Sequence, residues 1–341
     1  MIGAGHWSAP LLSGDKMPRL RDLGYALGQY PTGPLNAITD VAGVAVGHVT
    51  LIEGDRTRTG ATAILAHPGN LFQDKRPAAL AVLNGFGKFA GATQLAELGQ
   101  LETPILLTNT LAVGRAIDAI NGYTLDQPGN ERVTSLNAVV GETNDSRLND
   151  IRAARPTVAE MRAAMDTARP GPVAEGAVGA GTGTVAFGMK GGVGTASRLV
   201  GGQVLGVLVQ ANFGGHLRVD GVPVANLAAH DADGSIVIVL ATDAALDAGA
   251  LRRLATRAFG GLARTGAALS HGSGDYALAF STQALPMLSS PAQLSALFEA
   301  AIEATEEAIL NALTMAEDMH GYDTASGLTS HFATLRLPPK R

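Results

Sequence analysis

From Ser235 to Thr242 the chain reads Ser-Ile-Val-Ile-Val-Leu-Ala-Thr, a largely β-branched apolar run entered through Asp233-Gly234. A strand points successive side chains to opposite faces. A run without polar alternation must therefore be covered on both sides, as in a buried sheet. Further strands are expected over Val41–Leu51, Ala61–Ala66, Ala78–Leu83, Pro104–Thr108, Asn137–Val140, Gln203–Gln210 and Tyr276–Ser281. Helical spacing separates them at Lys88–Leu98, Thr110–Ile120, Val158–Thr167 and Ala244–Gly266, with Leu111, Ile117 and Ile120 as core positions of the second. Leu294–Met319 reads as a long helix or helix pair, and the tail from His331 as a last short strand. Alternation of strands and helices, with several runs apolar on both faces, predicts an α/β protein with buried sheets. No linker-like stretch or internal repeat divides residues 1–341, which are expected to form a single compact domain.

Composition narrows the function. The residues are 46% hydrophobic and 16% charged, with 43 glycines and only 4% aromatics, so small side chains pack in a large core. A net charge of −5 without a basic patch argues against nucleic acid. The absence of cysteine excludes disulfides, a thiol nucleophile and Cys-ligated metal. No apolar run approaches the ~18 residues of a membrane span. Met1–Gly14 lacks a basic region followed by an apolar core, so no signal peptide and a cytoplasmic location are expected. His48, His216, His230 and His271 are scattered, with no His-Glu-x-x-His, so no metal is expected.

Lys190-Gly191-Gly192-Val193-Gly194-Thr195 looks like part of a phosphate-binding loop. Gly183 and Gly188 have the Walker separation, but Met189 follows where lysine is required, and Thr195 stands where a variant loop needs lysine. Close-packed backbone is the better reading of these glycines. Gly-x-Ser-x-Gly, the elbow of α/β hydrolases, is absent.

Ser235 stands at the mouth of its strand. Cleavage of the Gly234–Ser235 peptide would place a hydroxyl and an α-amine on one residue. An α-amine titrates near pH ~8, so that residue would supply nucleophile and base together. Gly272-Ser273-Gly274-Asp275 precedes another strand, and Ser273 and Asp275 can relay protons from one face of an extended chain. Asn212 closes a buried strand, where its amide could serve an oxyanion. Glu142 ends another and could bind a cationic amine. Taken singly, each reads better as an ordinary turn or surface residue.

A family resemblance joins them. The chain resembles the self-processing aminopeptidases, the family of the D-aminopeptidase DmpA and the β-peptidyl aminopeptidases, from about Arg19 to Met319. The resemblance is carried by Pro34-Leu35-Asn36-Ala37-Ile38-Thr39-Asp40, Arg58-Thr59-Gly60-Ala61-Thr62-Ala63-Ile64, Asn84-Gly85-Phe86-Gly87-Lys88 and Glu102-Thr103-Pro104-Ile105. Gly179-Ala180-Gly181-Thr182-Gly183, Lys190–Thr195 and Leu262-Ala263-Arg264-Thr265-Gly266 continue it. It implies self-cleavage between Gly234 and Ser235 into 1–234 (an α chain) and 235–341 (a β chain), with Ser235 as nucleophile. It implies proton relay by Ser273 and Asp275, where the best-known members carry a glutamate one methylene longer. It assigns Asn212 to the oxyanion and Glu142 to the substrate's amino group. Two residues beyond Glu142 the family can carry a tyrosine at the oxyanion site; this chain has Asn144 there, still a hydrogen-bond donor. The resemblance further implies a four-layer α-β-β-α sandwich like amino-terminal nucleophile hydrolases, differently connected. It implies no cofactor, a small peptide, amide or ester substrate with a free amino group, and a homotetramer of processed protomers.

Two other functions fit parts of the sequence. One is a self-processing acyltransferase of the ornithine acetyltransferase type, although those cut before threonine. The other is a non-enzymatic protein binding a nucleotide at Gly183–Thr195.

Overall fold

The computed structural model describes residues 17–224, 233–286 and 290–340. Met1–Gly14 and His230, read above from sequence, lie outside the described residues.

Two sheets meet face to face. The first contains β1 (Ala45–Glu53), β2 (Thr57–Leu65), β5 (Ile105–Asn109) and β6 (Val139–Thr143). The second contains β3 (Arg76–Gly85), the two-residue β4 (Gln100–Leu101), β7 (Gly192–Val200), β8 (Gln203–Asn212), β9 (Ser235–Thr242) and β10 (Gly274–Ser281). Its order is β4-β3-β10-β9-β8-β7; the order of the first is β1-β2-β5-β6. Neighbours are antiparallel except β5–β6 and β9–β10.

Side-chain alternation along β9 shows how the layers stack. Ile236, Ile238 and Leu240 pack in one core with α4 (Ala248–Arg264) and α5 (Pro291–Thr314). Val237, Val239 and Ala241 pack in another with Ile64, Ile105, Leu107 and Val139 of the first sheet. A third core joins the outer face of that sheet, through Ala61, Ala63 and Leu106, to α2 (Val113–Leu125) and α3 (Val158–Asp166). Three cores between four layers make an α-β-β-α sandwich, and each buried branched side chain contributes about 1.5–3 kcal/mol to holding it. A short helix, α1 (Ala92–Leu98), follows β3, and a hairpin of β11 (Met319–Asp323) and β12 (Leu328–Phe332) follows α5. Among the described residues no helix is long and apolar enough to cross a membrane.

Several boundaries differ from expectation for physical reasons. The helix expected from Thr110 begins at Val113, which leaves Leu111 outside it and 53% exposed, while Ile120 is buried as expected. Leu294–Met319 resolves into one helix, begun by Pro291 in its first turn and by the Ser290 hydroxyl, which accepts from Gln293 N. The tail from His331 is no independent strand; His331 and Phe332 end the β11–β12 hairpin. β8 runs two residues past the expected Gln210, to close at Asn212, and β6 runs past the expected Val140 through Glu142 to Thr143.

The glycine-rich segment conceals β7. A Cβ on Gly194 would sit 2.0 Å from Ala308 O of α5, so the helix lies directly on the strand backbone. Lys190 is fully buried, and its ammonium donates to the carbonyls of Gly181 (2.8 Å), Thr184 (2.9 Å) and Gly191 (2.8 Å). A lysine so engaged has no proton left for a phosphate.

Candidate active site

Ser235 opens β9 opposite Asn212, the last residue of antiparallel β8, and beside Gly274, the first residue of parallel β10. It continues the row of Val237 and Val239, and Asn212 the row of Leu208, so both positions face the space between the sheets. The Gly274 N–H donates to Gly234 O at 3.1 Å and to Ser235 Oγ at 3.2 Å. The carbonyl before Ser235 and its own hydroxyl thus share one donor. Only glycine fits at 234: its φ is +156°, and a Cβ would lie 2.3 Å from Asn212 O and 2.5 Å from Phe213 Cα. The Asn212 side chain is oriented by Val185 N–H, which donates to its Oδ1 at 3.0 Å. Among the described residues its Nδ2 has no partner, so that N–H pair is free to donate at the strand end.

Ser273 and Asp275 come together beside this group. Ser273 Oγ donates to Asp275 Oδ1 at 2.6 Å, and both residues are buried. Asp275 Oδ2 is buried with no partner among the described residues. Burial pushes the Asp275 carboxyl above its ordinary range, and the Ser273 hydroxyl pulls it partly back. Ser273 is not within hydrogen-bond reach of Ser235 Oγ among the described contacts; it is tied to Ser235 through Gly274, the residue between it and Asp275.

Asn84 of β3 is a site-building residue that sequence reading did not single out. Its side-chain amide donates to the carbonyls of Ser270 (3.0 Å) and His271 (2.9 Å), and also to that of Ser273. It thereby fixes the turn that carries Ser273. Its presence in the Asn84–Lys88 segment was the one available signal. Ser270 Oγ in turn donates to Asp233 Oδ1 at 2.7 Å, fastening the turn to the residue before Gly234.

Tyr276 was missed as well, because nothing in a strand sequence tells a lining tyrosine from a core one. A Cβ on Gly274 would be 3.1 Å from Ser235 Oγ and 3.2 Å from Tyr276 Cε2. A Cβ on Gly87 would be 3.0 Å from both Tyr276 Oη and Glu142 Oε1. The phenol ring therefore spans the interval between Ser235 and Glu142. Its hydroxyl has no hydrogen-bond partner among the described residues. Burial, then the Glu142 and Asp275 carboxylates, push the Tyr276 phenol above its usual range. Glu142 is 3% exposed and accepts from Lys88 N at 2.9 Å; the Lys88 ammonium stands 3.7 Å from the same oxygen.

Asn144 is set apart from these groups. It is exposed, and its Oδ1 accepts from Ser146 N at 3.0 Å, which closes a local turn. Among the described residues it makes no hydrogen bond to Ser235, Asn212 or Glu142.

Comparison with known proteins identifies the family. The model of peptidase family S58 matches residues 36–326. A β-peptidyl aminopeptidase, BapA, from Sphingosinicella xenopeptidilytica is 40% identical, over 90% of this chain and 87% of its own. A β-aminopeptidase from a Burkholderia species superposes with a TM-score of 0.85 at 39% identity, over 93% of this chain and 95% of its own. The L-aminopeptidase D-Ala-esterase/amidase of Ochrobactrum anthropi, described as a prototype for the serine aminopeptidases and a variant of the amino-terminal nucleophile hydrolase fold, superposes with a TM-score of 0.80 at 36% identity, over 94% of this chain and 96% of its own. With a four-layer sandwich and a serine opening a central strand, the chain belongs to peptidase family S58, the serine aminopeptidases with an amino-terminal-nucleophile fold.

Proposed function

We propose that this aminopeptidase cuts its own Gly234–Ser235 peptide and then uses Ser235 as its nucleophile. The observation that carries the reading is the single Gly274 N–H held by both Gly234 O and Ser235 Oγ. That donor polarises the carbonyl beside the hydroxyl that would attack it. Attack by Ser235 Oγ on Gly234 C breaks the C–N bond and leaves an ester, with the proton passing to the departing nitrogen. Water then hydrolyses the ester, giving a carboxylate at Gly234 and a free amine at Ser235.

In the processed enzyme the Ser235 amine takes the hydroxyl proton as Oγ attacks the carbonyl of the substrate's first residue. It returns that proton to the leaving amine. Asn212 Nδ2 donates to the developing oxyanion, an interaction worth about 3 kcal/mol at a comparable position. The Ser273–Asp275 pair, with its unpartnered Oδ2, supports the charged amine. Glu142 holds the substrate ammonium by displacing Lys88, which makes cleavage strictly amino-terminal. Water releases the acyl group and restores the enzyme. The substrates in this reading are short peptides, amides and esters with a free amine. β-Amino residues are included because two of the similar proteins are named for them. Processed chains are proposed to assemble as a homotetramer, which light scattering after gel filtration measures directly.

The test is a panel of L-, D- and β-aminoacyl anilides, each with a free or acetylated amine. Turnover confined to the free amines is expected. Equal turnover of acetylated substrates would remove Glu142 from its role.

A further inference from the structure

Lys190 is a fully buried amine, its pKa pushed down to about 7 by burial, that the chemistry above does not use. The phosphate loop suggested by its sequence does not form around it. Its three N–H groups end instead on three carbonyls, and one belongs to the peptide between Thr184 and Val185. Thr184 O accepts from Lys190 Nζ at 2.9 Å and from Gly191 N at 2.9 Å. The N–H on the other side of that same planar peptide, Val185 N, donates to Asn212 Oδ1 at 3.0 Å. Val185 and Lys190 are also cross-strand partners in the small hairpin formed by Val185–Ala186 and Met189–Lys190.

We propose that Lys190 is a positioning residue for the Asn212 amide, acting through the single peptide between Thr184 and Val185. A peptide is planar, so anchoring its carbonyl fixes the direction of its N–H. That N–H selects which end of the Asn212 side chain is oxygen and holds it in place. Nδ2 then points away from Val185, ready to donate without rearrangement. Oxyanion donors are effective when they are aimed before the charge develops. A second role follows from the same bonds. The loop running Gly181–Thr184 carries carbonyls at 181 and 184 that the buried Lys190 Nζ gathers to one point, which explains a polar group where an apolar core side chain would be expected.

The inference rests on Asn212 as oxyanion donor, and a double-mutant cycle separates the two. Rates are expressed per processed chain, with the processed fraction read by denaturing mass spectrometry and folding by circular dichroism. Asn212→Ala is expected to lower kcat about 10²–10³-fold. Lys190→Met is expected to lower kcat about 10–100-fold with KM changed less than about twofold, the pattern of a donor displaced rather than a pocket lost. In the Asn212→Ala background Lys190→Met is expected to cost less than about twofold, since its effect passes through the missing amide. Lys190→Gln keeps two N–H donors and is expected to recover part of kcat; it also carries the test if the Met variant does not fold. Equal losses from Lys190 substitution in both backgrounds, or a KM effect alone, would overturn the Lys190 inference and leave Asn212 in place. An unchanged kcat in Asn212→Ala would overturn the reading of the oxyanion site itself, and the Lys190 inference with it.

Discussion

Two buried polar clusters on the second sheet differ in one respect. Around Arg198 the donors and acceptors match. Its guanidinium is fully buried between Glu303 (3.2 Å) and Glu307 (2.8 Å), and also donates to Ser197 O and Leu27 O. Glu307 takes Arg21 at 2.7 Å and Asn36 Nδ2 at 2.6 Å as well. Burial works against the Glu307 carboxylate, yet Arg21, Arg198 and Asn36 together hold it below its ordinary range. At the mouth of β9 the polar groups outnumber their partners: Asp275 Oδ2, Asn212 Nδ2 and the Tyr276 hydroxyl are left over among the described residues. Of these, Asp275 Oδ2 is buried, and a buried group without a partner costs about 1–3 kcal/mol. The first cluster is closed on itself, so removing one member would leave buried charge uncompensated. The second keeps open valences for a ligand that brings the missing partners.

Substitutions should therefore separate cleanly into those that remove turnover and those that remove stability. Ser235→Ala should lower peptidase turnover roughly 10⁴–10⁶-fold, leave the chain uncut, and preserve its unfolding midpoint. Arg198→Met should do the reverse. It leaves Glu303 buried without its cation and Glu307 with Arg21 as its remaining cation, at a cost of about 3–5 kcal/mol by denaturant unfolding, with KM unchanged in the protein that remains folded. Glu142→Gln removes a charge-assisted contact of about 1.5–3 kcal/mol and should raise KM about 10–150-fold for substrates with a free amine, with little change in kcat.

Asp275→Asn makes the smallest and most discriminating change. The folded protein holds the Asp275 proton more tightly than the unfolded chain does. Ionising this group therefore costs stability. The cost is absent below the ordinary carboxylate range and develops fully as pH rises past the raised folded-state value. An asparagine at 275 can still accept from Ser273 Oγ and carries no charge. It should raise the unfolding midpoint slightly at neutral pH, match the parent at pH 3, and lower kcat. A variant destabilised at neutral pH would place Asp275 with the structural ion pairs instead.

The fold was legible wherever burial wrote a simple period. Ser235–Thr242 announced a two-sided strand because every position from Ile236 to Ala241 is apolar, and its layers followed. β7 was not legible, because Gly192 and Gly194 remove the side chains that would have shown a period and make room for α5 instead. Of the candidate site, Ser235, Asn212, Ser273, Asp275 and Glu142 could be named through the family resemblance, and the fold places them around the ends of β6, β8, β9 and β10. Asn144 could be named too; its Oδ1 is taken by its own turn, and the amide that would donate has no partner among the described residues. Asn84 and Tyr276 could not, since their importance lies in contacts with residues far along the chain. Lys190 was conspicuous for the wrong reason: glycines around a lysine resemble a phosphate loop, and only the carbonyls that surround it reveal otherwise.

Amino-terminal sequencing with intact-mass measurement of the purified, active protein reaches the core of this reading. A new amino terminus at Ser235, in stoichiometric amount and absent from Ser235→Ala, is the expected result. A fully active protein in which the Gly234–Ser235 bond is intact would contradict it.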